Sequence, residues 1–458
     1  MTPRTAAKSI LEALRRGGHE AYLVGGCVRD LLLHREPKDY DITTNAHPEQ
    51  VMALFPHTLA IGAAFGVVAV IHEGVQIEVA TYRSDGDYPD GRHPEIVFYS
   101  ETAKDDVARR DFTMNGLLVR PYAEESITST KEWDLRSGPV VVYGHEGNSL
   151  ILDFVGGVQD INNKVIRAIG DPGKRFREDA LRMLRACRFA AQLGFEIEDN
   201  TLKAISKNSA LIDKVSKERV AMELLKIASS PFPLKGLIPL ITTGLLNHTP
   251  LFYAIDFSLS WVLRRFSNFA TDDPVLGMTM LLAESTIVSA RKACNELKLS
   301  NDQTSAIMGA MEVCDYLARI RGYFTDAMGG NADQVTAMSA GAEIKKCMRT
   351  PGAPNALALL KQDIAMGTLP PDMSRITDYI DTLGPEDIRP TRLVTGKDLI
   401  AMGMTPGPGF REILDSIEGC QLRGEVGDRD AALDIAKKLS MAVLADVGLP
   451  KDGGKAAS

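Results

Sequence analysis

The sequence predicts an α+β protein in which an N-terminal part built on a mixed sheet is followed by an all-α remainder. Short β-rich runs that end in glycine or turn residues are confined to the first 120 positions, whereas helical spacing dominates from Arg175 onward. The 458 residues suggest roughly three domains at about 150 residues each. A hydrophobic fraction of 45% is ordinary for a chain that buries a core.

The elements follow in order. Ala7, Ile10, Leu11 and Leu14 recur at helical spacing, with Arg15 and Arg16 after them and Gly17-Gly18 as a stop. This describes a short amphipathic helix and not the continuous apolar stretch of a signal peptide. Ala21–Val24 is an apolar strand running into Gly25-Gly26, and residues 39–43 are a second strand. Residues 66–71 and 75–82 are β-rich runs around a His72-Glu73-Gly74 hairpin turn. Residues 83–95 hold Gly, Pro, Asp and charge, and read as a flexible loop. Residues 107–119 mix strand and helix signals, and the polar stretch 121–150 fits neither pattern. Beyond Arg175 no strand run is expected, and turns at Ser230-Pro231, Gly329-Gly330, Pro351-Gly352 and Pro370-Pro371 divide the helical part. The Gly/Ala/Lys-rich end, residues 451–458, reads as disordered.

Charge and cysteine content exclude several classes. With 52 basic and 60 acidic side chains the net charge is −8, which rules out a uniformly basic nucleic-acid coat but leaves room for a local basic groove. The six cysteines, at 27, 187, 294, 314, 347 and 420, form no CxxC pair and are too sparse for a disulfide scaffold. Reduced thiols in a cytoplasmic protein are the simplest reading. No run of 18 apolar residues exists, so no membrane helix is expected.

The most informative segment is Gly25-Gly26-Cys27-Val28-Arg29-Asp30, followed by Asp39-Tyr40-Asp41. A strand that enters Gly-Gly and then a helix exposes backbone N–H groups that suit a phosphate, and Arg29 adds a charge; taken alone, the glycines are accounted for by a plain tight turn. Asp39 and Asp41, two apart on a strand, should project from one face. At about 4 Å two carboxylates repel by roughly 4 kcal/mol at an effective dielectric near 20, and a cation reverses that. Mg²⁺ favours one or two carboxylates plus substrate phosphates. Glu78 is either a third carboxylate there or a polar outer-face residue.

Two further clusters stand out. Arg109-Arg110-Asp111-Phe112-Thr113-Met114-Asn115 fits sugar and phosphate recognition or an ordinary charged surface. In Glu178-Asp179-Ala180-Leu181-Arg182-Met183-Leu184-Arg185-Ala186-Cys187-Arg188, Leu181, Leu184 and Ala190 form a buried side. Asp179, Arg182, Arg185 and Arg188 make a polar stripe. The plain reading is a solvated face with an Asp179–Arg182 pair worth about 0.2–0.5 kcal/mol. The chemical reading is base recognition: Asp accepts from an exocyclic amine and Arg donates to ring acceptors, so the pair could read cytosine and adenine.

GGCVRDLLL, DYDITTNA, EVATYRSDGDYPDGRHPE, RRDFTMNGLL and DPGKRFREDALRMLRACRFAAQLGF, in this order, closely resemble class II CCA-adding tRNA nucleotidyltransferases of the poly(A) polymerase family. Leu393-Val394-Thr395-Gly396-Lys397-Asp398-Leu399 and Pro406-Gly407-Pro408-Gly409 look like that family's tail. The resemblance implies a polymerase β-like nucleotidyltransferase head with a five-stranded sheet over residues 1–165. It implies a neck over 166–230 that selects the base, a body over 231–370 and a tRNA-binding tail over 371–458. It implies that Asp39 and Asp41 hold Mg²⁺ and that Gly25, Gly26 and Arg29 contact the triphosphate. Arg110, Asp111 and Asn115 match the ribose and phosphate motif. Asp179 and Arg182 match the amino-acid template for CTP or ATP, supported by Arg185 and Arg188. Residues 83–95 match the loop associated with the switch from C to A addition.

The implied reaction is attack of a tRNA 3′-hydroxyl on the α-phosphate of CTP or ATP with loss of pyrophosphate. One ion would activate the hydroxyl and a second would stabilise the leaving phosphates. The expected partners are the acceptor stem and T-arm of tRNA, with no membrane and no obligate protein partner. The rivals are a CC-adding or A-adding specialist, a poly(A) polymerase, or a non-catalytic RNA-binding protein on the same scaffold. The loop residues Arg83, Asp85, Tyr88, Asp90 and Arg92 argue against a CC-only enzyme, and both metal carboxylates argue against a non-catalytic one.

Overall fold

The computed structural model describes residues 1–62, 66–85, 97–121, 140–144, 147–252, 259–328 and 334–447. The chain divides into two compact units: Met1–Met278 with Lys292–Leu299, and Thr279–Arg291 with Ser300–Ser458.

The first unit begins with helix α1 (Pro3–Arg16), whose buried Ala6, Ala7, Ile10, Leu11 and Leu14 form the apolar stripe read from the sequence. Each large member contributes about 1.5–3 kcal/mol by leaving water. Strands follow as β1 (Ala21–Val24), β2 (Asp41–Thr44), β3 (Thr58–Gly62), β4 (Val67–His72) and β5 (Val75–Thr81). A separate two-stranded pair is made by β6 (Arg83–Asp85) and β7 (Val97–Tyr99). Next come β8 (Leu118–Pro121), β9 (Val140–Gly144) and β10 (Gly147–Leu152). Among the described residues the main sheet has eight strands in the order β3-β4-β5-β2-β1-β8-β10-β9, antiparallel except between β2 and β5. Five strands were expected. Three strands are additional: β3, which is not among the runs read from the sequence, and the β9–β10 hairpin in the polar stretch 121–150, of which residues 122–139 lie outside the described ones. Of the expected 83–95 loop, 83–85 is strand, and 86–96 is likewise outside them.

Two helices of the sheet half matter for the site, α2 (Gly26–Leu32) and α4 (Ala103–Ala108), with α3 (Pro48–Leu54) between them in the chain. After α5 (Gly157–Asn162) the chain becomes helical: α6 (Pro172–Glu178), α7 (Leu181–Leu193), α8 (Asp199–Asn208), α9 (Lys217–Ala228) and α10 (Pro233–Thr242). One expectation fails here. Glu196–Ile197 forms a two-residue strand parallel to Val165–Ile166, a pairing too short to leave an alternating pattern. Helix α7 ends at Gly194, in the left-handed region at φ 75°, and lies against α9 and α10. Gly236 allows the closest approach, since a Cβ there would meet the Cys187 carbonyl oxygen at 2.6 Å.

The second unit is helical among its described residues. Asn301–Met328, Gln334–Cys347, Ala353–Ala365 and Ser374–Thr382 enclose a core that includes Leu317, Phe324, Ile344, Leu360 and Ile376. A second core gathers Val394, Leu399, Ile413, Ile417, Ala432 and Ala436. There Thr395 caps the helix Gly396–Ala401 through a reciprocal box with Asp398, and Arg429 bonds Asp398 and the Leu393 carbonyl.

Candidate active site

All the residues assigned to the site from the sequence line one cavity of about 630 Å³ in the first unit. Gly25, Gly26 and Arg29 come from the β1–α2 turn, and Asp39 and Asp41 from the approach to β2. Arg110, Asp111 and Asn115 follow α4, and Asp179, Arg182, Arg185 and Arg188 come from the α6–α7 region. Arg109, Leu181, Phe189, Gln192 and Arg219 line it as well. Seven arginines against four aspartates make this wall cationic in a chain of net charge −8, the local groove the sequence left room for.

At one end sit carboxylates with no hydrogen bond or ion pair among the described residues. Gly25 adopts φ 81° and brings its backbone close to Arg110, whose Nη1 would lie 3.7 Å from a Cβ at that position. Strand β2 begins at Asp41, so Asp39 precedes the strand rather than sharing its face. The two carboxylates still meet in the cavity, with Asp39 exposed and Asp41 half-buried. Register places Glu78 of β5 directly beside Asp41. Burial, then the Glu78 charge, push the Asp41 carboxyl up to about 6; Arg110 opposes this and Asp39 adds to it. Mutual repulsion of this kind is what a hard divalent cation relieves, and carboxylate oxygens are its preferred donors. Among the described residues no cluster of three or more His, Cys, Asp or Glu side chains could by itself hold a metal.

Arg110 is kept from those carboxylates by Asp106, which is fully buried on α4. Asp106 accepts from Nε and Nη2 of both Arg109 (3.0 and 2.6 Å) and Arg110 (3.3 and 2.8 Å), and from the Thr43 hydroxyl on β2 at 3.2 Å. Burial pushes this carboxyl up, but the charges of Arg110 and Arg109 outweigh it and hold it low.

At the other end every carboxylate has a guanidinium. Arg185 donates from Nε and Nη2 to Asp111 Oδ2 at 2.9 and 2.5 Å. Asn115 Nδ2 donates to Asp111 Oδ1 at 3.1 Å, and Arg29 Nη1 donates to Asn115 Oδ1 at 3.0 Å. Asp111 is buried, which pushes its carboxyl up, yet the Arg185 charge and hydrogen bonds bring it down to about 2. Asp179 lies between α6 and α7, where one oxygen accepts from the Leu181 N–H at 3.1 Å and the other from Arg219 Nη2 at 3.0 Å. Arg182 bonds Glu178 at 2.8 Å and the Arg109 carbonyl at 3.0 Å. The Asp179–Arg182 surface pair is therefore not made; each has a different partner, and both side chains are presented to the cavity. Arg219 was not legible because Lys217-Glu218-Arg219 reads as the solvated start of a helix.

A family described as the poly(A) polymerase head domain matches residues 21–167, and one described as a probable RNA- and SrmB-binding site of polymerase A matches residues 194–254. The CCA-adding enzyme of Geobacillus stearothermophilus is 33% identical over 441 residues, 93% of this chain and 94% of that one. The chain belongs to the CCA-adding enzyme family. The crystal structure of the Bacillus stearothermophilus CCA-adding enzyme in complex with CTP superposes with a TM-score of 0.66 at 28% identity, covering 97% of this chain and all of that one. The CCA-adding enzyme of Anoxybacillus flavithermus is 41% identical over 244 residues, and there the chain spans only 55% of the relative's length.

Proposed function

We propose that the protein is a nucleotidyltransferase that adds CCA to the 3′ end of tRNA from CTP and ATP, without a nucleic-acid template and with release of pyrophosphate. The observation that carries this reading is the meeting, in one cationic cavity, of an unpaired carboxylate couple with an Asp/Arg couple suited to base edges. Asp39 and Asp41 would hold Mg²⁺, which when bound activates the attacking hydroxyl and neutralises charge on the phosphates. Gly25, Gly26 and Arg29 bind the triphosphate. Arg110, held out by Asp106, offers charge to the phosphates, and Asp111 and Asn115 order the ribose side. Asp179 accepts from the N4 amine of cytosine or the N6 amine of adenine, while Arg182 donates to ring acceptors. Little covalent chemistry falls to the chain itself, and positioning and charge do the rest.

The division into head (1–165), neck (166–230), body (231–370) and tail (371–458) belongs to the same reading, as does a cytoplasmic location. Among the described residues no helix is long and apolar enough to cross a membrane. The Pro-Gly-Pro-Gly turn opening the helix Pro408–Arg423 offers backbone N–H groups to the T-arm. Recognition of RNA through phosphate and 2′-hydroxyl contacts makes binding weaken with salt.

The test is extension of a tRNA transcript lacking CCA, with the 3′ ends sequenced. CC with CTP alone and CCA with both nucleotides support the reading. CC under both conditions means a partial enzyme, A only on CC-ended tRNA an A-adding specialist, and a long A tract a poly(A) polymerase. No addition revives a non-catalytic RNA-binding role.

A further inference from the structure

We propose that Phe189 is a positioning residue for the nucleotide, an aromatic platform that seats three arginines of the cavity and ties its phosphate end to its base end. The proposal rests on the reading of this cavity as a nucleoside triphosphate site.

Phe189 lies on α7, is 5% exposed and lines the cavity. The guanidinium carbons of Arg188, Arg29 and Arg185 lie 4.3, 5.1 and 5.4 Å from its ring centroid. Arg29 arrives from α2 in the sheet half, while Arg185 and Arg188 stand on α7. Phe112 braces the ring edge-on at 5.8 Å and 86°. One ring is thus the common neighbour of cations from both halves of the site.

Three guanidiniums around one point repel each other. Among the described residues each pairs with one carboxylate: Asp30 for Arg29, Asp111 for Arg185 and Glu223 for Arg188. Burial, with the charges of Arg185 and Arg29, pushes Arg188 below its ordinary value despite Glu223. The Nε of Arg188 is buried and has no hydrogen-bond partner among the described residues. The ring supplies the remaining compensation, since its negative face attracts a desolvated cation by up to about 2 kcal/mol. The geometry also leaves the site usable. A guanidinium held against a ring keeps its N–H donors; part of these already serve Asp30, Asn115, Asp111 and Glu223, and the rest can receive an anion. A leucine of similar bulk would desolvate the three charges and return nothing.

The test is a fluorination series at position 189 in the full chain, replacing Phe189 with mono-, di- and trifluorophenylalanine. Fluorine withdraws charge from the ring face with little change of shape. Affinity for CTP is read by calorimetric titration without tRNA, beside the KM and kcat of the first C addition and the melting temperature. The expected result is a stepwise loss reaching about tenfold at three fluorines. KM should rise in parallel, with kcat changed less than twofold and the melting temperature falling stepwise as the ring's compensation of the three charges is withdrawn. If the trifluoro chain unfolds, the slope is read from the first two members. A series flat within twofold overturns the proposal. Arg29→Ala is titrated in parallel. If it weakens CTP binding while the series is flat, only the platform fails. If it leaves CTP binding intact, the triphosphate reading fails with it.

Discussion

The two ends of the cavity handle negative charge in opposite ways. Around Asp41 the structure crowds carboxylates, with Asp39 beside it in the cavity and Glu78 beside it in register. Around Asp111 and Asp179 it supplies a guanidinium to each carboxylate, from Arg185 and Arg219. The consequence is visible in ionisation, with Asp41 raised to about 6 and Asp111 lowered to about 2. The first end is built at a cost to folding that a bound cation can relieve. At the second, each carboxylate is already paired within the chain. On the proposed function, chemistry and base choice would rest on different electrostatic designs, and substitutions can separate them.

The largest expected effect is at the crowded end. Asp39→Ala or Asp41→Asn should lower the rate of nucleotide addition by at least about 10³-fold, several kcal/mol of lost charge stabilisation, while the chain still folds. Chelation of divalent cations should do the same to the wild type and be reversed by Mg²⁺. Asp179→Ala comes next. It should cut discrimination against UTP and GTP by about 10²-fold with a smaller change in the KM for CTP, because an unpaired polar contact penalises the wrong base.

Stability measures the contrast more finely. A carboxyl raised in the folded state makes the fold lose stability as pH climbs from about 4 through 6. Without divalent cation, Asp41→Asn should therefore raise unfolding free energy by about 1–3 kcal/mol at pH 8, with the gain fading toward pH 4. A carboxyl lowered in the folded state contributes stability above its unfolded value and loses it as pH falls toward 2. Asp111→Asn should thus cost about 1–3 kcal/mol at pH 7 and progressively less below pH 4. Chemical denaturation across pH checks both, and equal signs for the two would erase the contrast.

What was legible in the sequence follows from how local each signal is. Ala21–Val24 is a strand because an apolar run meets a turn that only glycine allows at φ 81°. Helix α7 was legible from Leu181 and Leu184 at helical spacing, and its Arg182, Arg185 and Arg188 line one cavity. The β9–β10 hairpin was not, because it follows a polar stretch and joins the sheet by pairing with β8. The start of β2 was misplaced by two residues, which moved Asp39 off the strand. Partners distant in sequence were beyond a local pattern. Nothing around Asp106 announces that it holds two arginines and Thr43, and the ring of Phe189 reads as core until Arg29 is found beside it. The family resemblance ordered the motifs, while these supporting contacts came only from the fold.

The central claim is that one end of the cavity performs transfer and the other chooses the base. The most direct measurement is single-nucleotide extension of tRNA lacking CCA by wild type, Asp41→Asn and Asp179→Ala, each supplied with CTP, ATP, UTP or GTP. The account predicts that Asp41→Asn loses addition of every nucleotide alike, whereas Asp179→Ala still extends and accepts the wrong ones. An Asp41→Asn enzyme near wild-type rate, or an Asp179→Ala enzyme with unchanged preference among the four, would contradict it.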